Sequence, residues 1–122
     1  MTGTMRARYR IAIVEPDDQI RQLSERWLRA AGHQVEVLTI EVLQQGDGFE
    51  LIIADVADPH AALPFIRRVQ AMHDAPVLLT SARFRRGQNA STQLAQQLGV
   101  KAVLPKPFAR AELLRAIVAA MR

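Results

Sequence analysis

The 122-residue chain contains no cysteine, a single tryptophan and a single tyrosine, and no apolar run near the length of a membrane span. Without cysteine there is no disulfide framework and no thiolate metal or redox centre, which fits a reducing compartment and a cytoplasmic location. A bilayer-crossing helix needs ~20 consecutive apolar residues, so no membrane segment is expected. The opening MTGTMRARYR is basic and lacks the apolar core of a secretory signal; residues 1–8 read as a flexible basic arm. His33, His60 and His73 each lack a second histidine three or four residues away, which argues against structural zinc. A net charge of +4 is a modest excess that does not by itself imply nucleic-acid binding.

What is present is globular: 49% hydrophobic and 23% charged residues, in a length that suits one core and not two. Residues 9–122 are expected to form one domain. Short apolar runs recur at Ile11–Val14, Val35–Leu38, Leu51–Ala54, Val77–Thr80 and Ala102–Leu104. Several are apolar throughout, as strands covered on both faces must be. Helical patterns fall between and after them, at Asp18–Ala31, Thr39–Gln45, Leu63–Met72, Asn89–Leu98 and Ala109–Met121. Gly32 and Gly99 sit where helices should stop, and Pro76 directly precedes a strand. Strict strand and helix alternation predicts an α/β fold with a parallel sheet and right-handed crossovers.

In open parallel sheets, ligands bind beyond the carboxyl ends of the strands. The first strand delivers Glu15, Pro16 and Asp17 to that rim, the third Asp55, the fourth Thr80 and Ser81, and Lys106 follows the fifth. Carboxylates crowded together repel unless a cation compensates, and a divalent metal or Lys106 is the candidate. Metal, ammonium and hydroxyl together would cradle a phosphoryl group, with Asp55 as its natural acceptor.

At these residues the chain resembles a response-regulator receiver domain of bacterial two-component signalling, of the chemotaxis-regulator kind. The likeness runs from Tyr9 to Arg122 and rests on IVEPDDQIRQLSERWLRAAGHQV, FELIIADVADP, PVLLTSA and LGVKAVLPKPF in that order and spacing. It implies a doubly wound, flavodoxin-like five-stranded parallel sheet of order 2-1-3-4-5 flanked by five helices. It also implies Asp55 as phosphoacceptor, Ser81 as the hydroxyl that follows the phosphoryl group, Lys106 as its charge partner and a cis Lys106-Pro107 peptide. Magnesium would be the cofactor, held by Glu15, Asp55 and the backbone carbonyl of Ala57. Implied partners are a histidine kinase or phosphotransfer protein upstream and a protein or output domain outside this chain downstream. Homodimerisation is one arrangement the resemblance allows, and direct DNA binding is not expected because no DNA-binding domain follows the last helix.

The departures from the family pattern are informative. Pro16 stands where the second acid of the metal-binding pair is expected, and proline brings neither carboxylate nor N–H, so magnesium binding should be weakened. Asp17, one residue on, is a candidate substitute ligand, with the start of the following helix its favoured use. Val103 occupies the position of the family's switching aromatic residue. The second helical segment is short, and the loop after Ser81 is long and carries Arg83, Arg85 and Arg86 around Phe84, which with Lys101 reads as a basic patch or a solvated loop, the second being favoured.

Two functions compete: a phosphorylated signalling domain that is no enzyme beyond its own phosphoryl acceptance and autodephosphorylation, and a phosphorylation-independent pseudo-receiver acting as a protein-binding module. A small flavin or nucleotide enzyme is disfavoured, because the first strand runs into acids and not into a Gly-rich phosphate cradle.

Overall fold

The computed structural model describes residues 8–43, 48–84 and 90–122. Five strands, β1 (Arg10–Val14), β2 (Gln34–Val37), β3 (Leu51–Asp55), β4 (Val77–Ser81) and β5 (Ala102–Pro105), form one parallel sheet of order β2-β1-β3-β4-β5. Helices α1 (Asp18–Ala30), α2 (Ile40–Leu43), α3 (Leu63–Met72), α4 (Ala90–Leu98) and α5 (Arg110–Ala120) alternate with them. The expected fold class and strand order are those observed.

Strand side chains alternate between faces, and that period builds two cores. Ile11, Ile13, Leu51, Ile53, Leu78, Ala102 and Leu104 point to one face, where Leu28 of α1 and Leu113 and Ile117 of α5 cover them. Ala12, Val14, Ile52, Ala54, Val77, Leu79 and Val103 point to the other, under Leu43, Ile66, Val69, Ala95 and Leu98 from α2, α3 and α4. The central strands β1, β3 and β4 are therefore apolar on both faces, whereas β2 lies at the edge and buries only Val35.

Local chemistry sets the boundaries. Asp17 caps α1 by accepting a hydrogen bond from the Ile20 N–H at 2.9 Å, satisfying one of the helix's free amides. The chain leaves α1 through Gly32, whose φ of +100° is the left-handed conformation that suits glycine, and the His33 N–H closes back on the Leu28 carbonyl at 3.1 Å. Gly99, at φ +72°, ends α4 in the same manner. The expected ends of the second helical segment and the start of the fourth lie partly outside the described residues, as do residues 1–7 of the basic arm.

One expectation about the surface changes. Phe84 is not the centre of an exposed basic patch, because its ring is buried in the core under α3 and α4. Arg83 and Lys101 are exposed, and Arg85 and Arg86 lie outside the described residues. The histidines are spread as expected: His73 is buried with Nε2 at 2.8 Å from the Leu43 carbonyl, His60 is exposed, and His33 stacks on Tyr9 with ring centroids 5.4 Å apart.

The Tyr9 N–H donates to His33 Nδ1 at 3.1 Å, which requires that nitrogen to be unprotonated. Burial lowers the His33 pKa below its ordinary value of 6.5. The neutral ring is thus favoured by folding, so its stabilising contribution is present above pH 6.5 and is lost as the pH falls toward the lowered folded value. His33→Asn keeps an acceptor without a titrating ring; thermal melts at neutral and mildly acidic pH should show a smaller acid-induced drop in Tm than in the wild type.

Candidate functional site

Four chain segments meet at the carboxyl end of the sheet. Glu15 follows β1, Asp55 ends β3, Ser81 ends β4, and Lys106 follows β5. Parallel pairing brings them level: Asp55 lies opposite Thr80, and Ser81 opposite Pro105. The Lys106 N–H donates to the Ser81 carbonyl at 3.0 Å, which continues the β4–β5 ladder by one residue and fixes where the lysine stem begins. Pro105 is buried and the Lys106-Pro107 peptide is cis, as the resemblance implied.

From there the ammonium reaches both acids. Lys106 Nζ lies 2.7 Å from Asp55 Oδ1 and 2.6 Å from Glu15 Oε1, and all three side chains are largely withdrawn from solvent. Burial by itself would lower the lysine pKa; the hydrogen bonds to Asp55 and Glu15, together with their charges, outweigh it and raise the pKa above the ordinary lysine range. By linkage, the stability that this ammonium contributes is complete below the ordinary lysine pKa and is lost only as the pH climbs through the raised one. The Lys106 ammonium therefore persists throughout the neutral range.

The second Glu15 oxygen, Oε2, accepts from the Asp17 N–H at 3.2 Å, so both oxygens of this buried acid are engaged. Ser81 is buried, and its Oγ accepts from the Arg83 N–H at 3.1 Å, a turn-forming contact that orients the hydroxyl at the rim.

A cleft of about 530 Å³ opens beside Asp55, lined by Glu15, Pro16, Arg21, Glu41 and Ala57 among others, with Val14, Val37 and Leu38 as its apolar wall. Asp17 does not line it. Its Oδ1 caps α1, the helix-start use that the sequence favoured for it. Among the described residues, no group of three or more His, Cys, Asp or Glu side chains is placed to hold a metal. The oxygen donors that remain are the Asp55 and Glu15 carboxylates and the Ala57 carbonyl. Magnesium often takes one or two carboxylates and keeps several waters, so this set fits a loosely held ion, one carboxylate short at Pro16.

Glu15, expected as a metal ligand on a rim where Lys106 was a candidate counter-cation, is one of the two acids that Lys106 meets. Reading the sequence missed two features. Arg21, the fourth residue of α1, lines the cleft, and its Nη1 donates to the Glu15 carbonyl at 3.3 Å. Trp27 shares a small cavity with Lys106, Pro107 and Phe108. A helical period from the cleft-facing start of α1 was the available signal for Arg21; nothing local signalled the place of Trp27. Val103, at the position of the switching aromatic, is a buried core residue.

No family model matches the chain. It is 27% identical over 117 residues to the transcriptional regulatory protein CpxR homolog of Haemophilus influenzae, covering 93% of this chain and 50% of that protein. The chain thus spans about half the length of that relative. Among solved structures, the chemotaxis protein CheY4 of Vibrio cholerae superposes with a TM-score of 0.70 at 24% identity, covering 93% of this chain and 99% of that one. The receiver domain of the sensor histidine kinase PA1611 from Pseudomonas aeruginosa, which has magnesium coordinated in its active-site cleft, gives 0.66 at 24% identity over 94% and 98%. A response regulator from Thermotoga maritima gives 0.75 at 18% identity over 94% and 98%. The chain thus has the receiver fold of five parallel strands in order 2-1-3-4-5 with five helices, and in sequence it is similar to a response regulator.

Proposed function

We propose that the domain accepts a phosphoryl group on Asp55 from a phosphohistidine of a histidine kinase or phosphotransfer protein. The observation that carries this reading is the Lys106 ammonium held against Asp55 at 2.7 Å on the carboxyl rim of the sheet. In the transfer an Asp55 oxygen attacks phosphorus, the P–N bond breaks, and its electron pair and a proton go to the leaving imidazole. Such transfers need positioning and charge neutralisation more than covalent machinery from the protein. Lys106 and Ser81 would then draw toward the new phosphoryl oxygens and bias a protein-binding face of the domain.

Magnesium, held by Asp55, Glu15 and the Ala57 carbonyl, would neutralise phosphoryl charge in the cleft. Its binding should be weak, because Pro16 supplies no ligand. On this reading the chain is a signalling domain and not an enzyme with an outside substrate, works in the cytoplasm, and acts through protein partners without touching DNA itself. Among the described residues no helix is long and apolar enough to cross a membrane.

The second reading, a pseudo-receiver that binds proteins without phosphorylation, is favoured by Pro16 and by the incomplete metal set. Intact-mass measurement after incubation with a small acyl phosphate separates the two. The wild type should gain one phosphoryl mass, and Asp55→Asn should gain none while remaining folded. An unchanged wild-type mass supports the pseudo-receiver. Trp27, beside Lys106, provides an independent fluorescence signal for rearrangement at the site.

A further inference from the structure

We infer that the cleft carries its own replacement for part of the divalent ion's charge, and that Arg21 is the residue that supplies it. The inference rests on Asp55 being the phosphoacceptor. Arg21 and Asp55 line the same cleft, with Glu15, Pro16, Ala57 and the exposed Glu41. The guanidinium is anchored at one end by donation to the Glu15 carbonyl at 3.3 Å, and it pairs with Asp18 at 2.5 Å on the surface. Asp18 is 77% exposed, so this pair is screened by water and holds the guanidinium only weakly.

The charge pattern follows from one substitution. The two buried acids, Glu15 and Asp55, are already met by Lys106, and Pro16 adds no third carboxylate at the back of the cleft. Arg21 is then a second positive group on a cleft whose two inner acids share a single ammonium. A doubly charged phosphoryl group entering beside Asp55 meets Lys106 on one side and a planar guanidinium, the side chain best shaped for phosphate oxygens, on the other. Had Pro16 been an acid, the same Arg21 would be drawn into an ion pair, and a divalent cation would be needed to offset the extra charge. Arg21 and Pro16 therefore act as a pair that makes phosphoryl acceptance largely independent of magnesium.

The test follows phosphorylation of the purified chain by a small acyl phosphate, read as intact mass, with magnesium or with a chelator. In the transfer the P–O bond to the acyl group breaks and its electrons leave on the carboxylate, so no further reactant is required. The wild type should label at a similar rate in both conditions. Arg21→Gln should lose at least about tenfold with chelator present, the scale of removing one charge-stabilising donor, and Arg21→Lys should recover most of it. Labelling of the wild type only with magnesium overturns the inference and leaves the Asp55 reading standing; no labelling in either condition overturns both. Undiminished labelling of Arg21→Gln in chelator also overturns it.

A second measurement does not depend on phosphorylation or on the Arg21 variants folding. Magnesium should raise the Tm of Pro16→Asp clearly more than that of the wild type, because a ligand stabilises the state that binds it in proportion to affinity. Equal shifts in the two proteins overturn the inference.

Discussion

Lys106→Met is expected to destabilise the domain by about 3 kcal/mol at neutral pH, the scale for stripping one partner from a buried ion pair. The ammonium bridges both acids, at 2.6 Å from Glu15 and 2.7 Å from Asp55. Methionine keeps much of the stem's packing but leaves two carboxylates facing each other in a partly dry pocket, where they repel. Acidification relieves that repulsion, so the deficit should shrink as the pH falls. Asp55→Asn in the same chain should also recover part of the loss, because the two substitutions act on one interaction and are not additive. Urea unfolding of the single and double variants at neutral and acidic pH measures all of this; a Lys106→Met variant as stable as the wild type at neutral pH would show the cluster to be energetically idle.

Leu78→Ala should cost a similar amount, about 3 kcal/mol, for an unrelated reason. Leu78 is fully buried on β4, in the core layer that α1 and α5 cover with Leu28, Leu113 and Ile117. Truncation removes methyl groups from water-free contact and leaves a cavity that the rigid sheet closes only in part. For a domain of this size that corresponds to a fall in Tm of roughly 10 °C. Unlike the Lys106→Met deficit, it should not change with mild acidification, since no titrating group is exposed or freed. Thermal melts at the two pH values distinguish a packing loss from an electrostatic one.

The sheet was legible because its strands announce themselves twice. Ile11–Val14, Leu51–Ala54 and Val77–Leu79 are apolar at every position, as a strand covered on both sides must be, and each is bounded by residues that stop it. The rim residues were legible for a related reason. Once strands are parallel, their carboxyl ends share one edge, so Glu15, Asp55, Ser81 and Lys106 had to come near each other. Helix ends were less sharp. Ala31 and Met121 were expected inside helices and lie just beyond them, because fraying and capping shift a boundary by a residue without altering the pattern.

What the linear chain determined, then, was the α/β alternation, the parallel sheet and the shortlist of rim residues, all consequences of periodicity and of turn chemistry. Only the tertiary structure decided how those residues share their charges. Asp17 had two uses open to it, and the free amides of α1 claimed it. Glu15, expected as a metal ligand, also pairs with Lys106, ninety-one positions away by their residue numbers, because the loop after β5 delivers the ammonium between the two acids. Phe84 went into the core in place of an exposed loop, and Trp27 came to rest beside Lys106. Ion pairs and packing contacts of this kind join residues distant in the chain at separations of a few ångströms, and no local pattern carries that information.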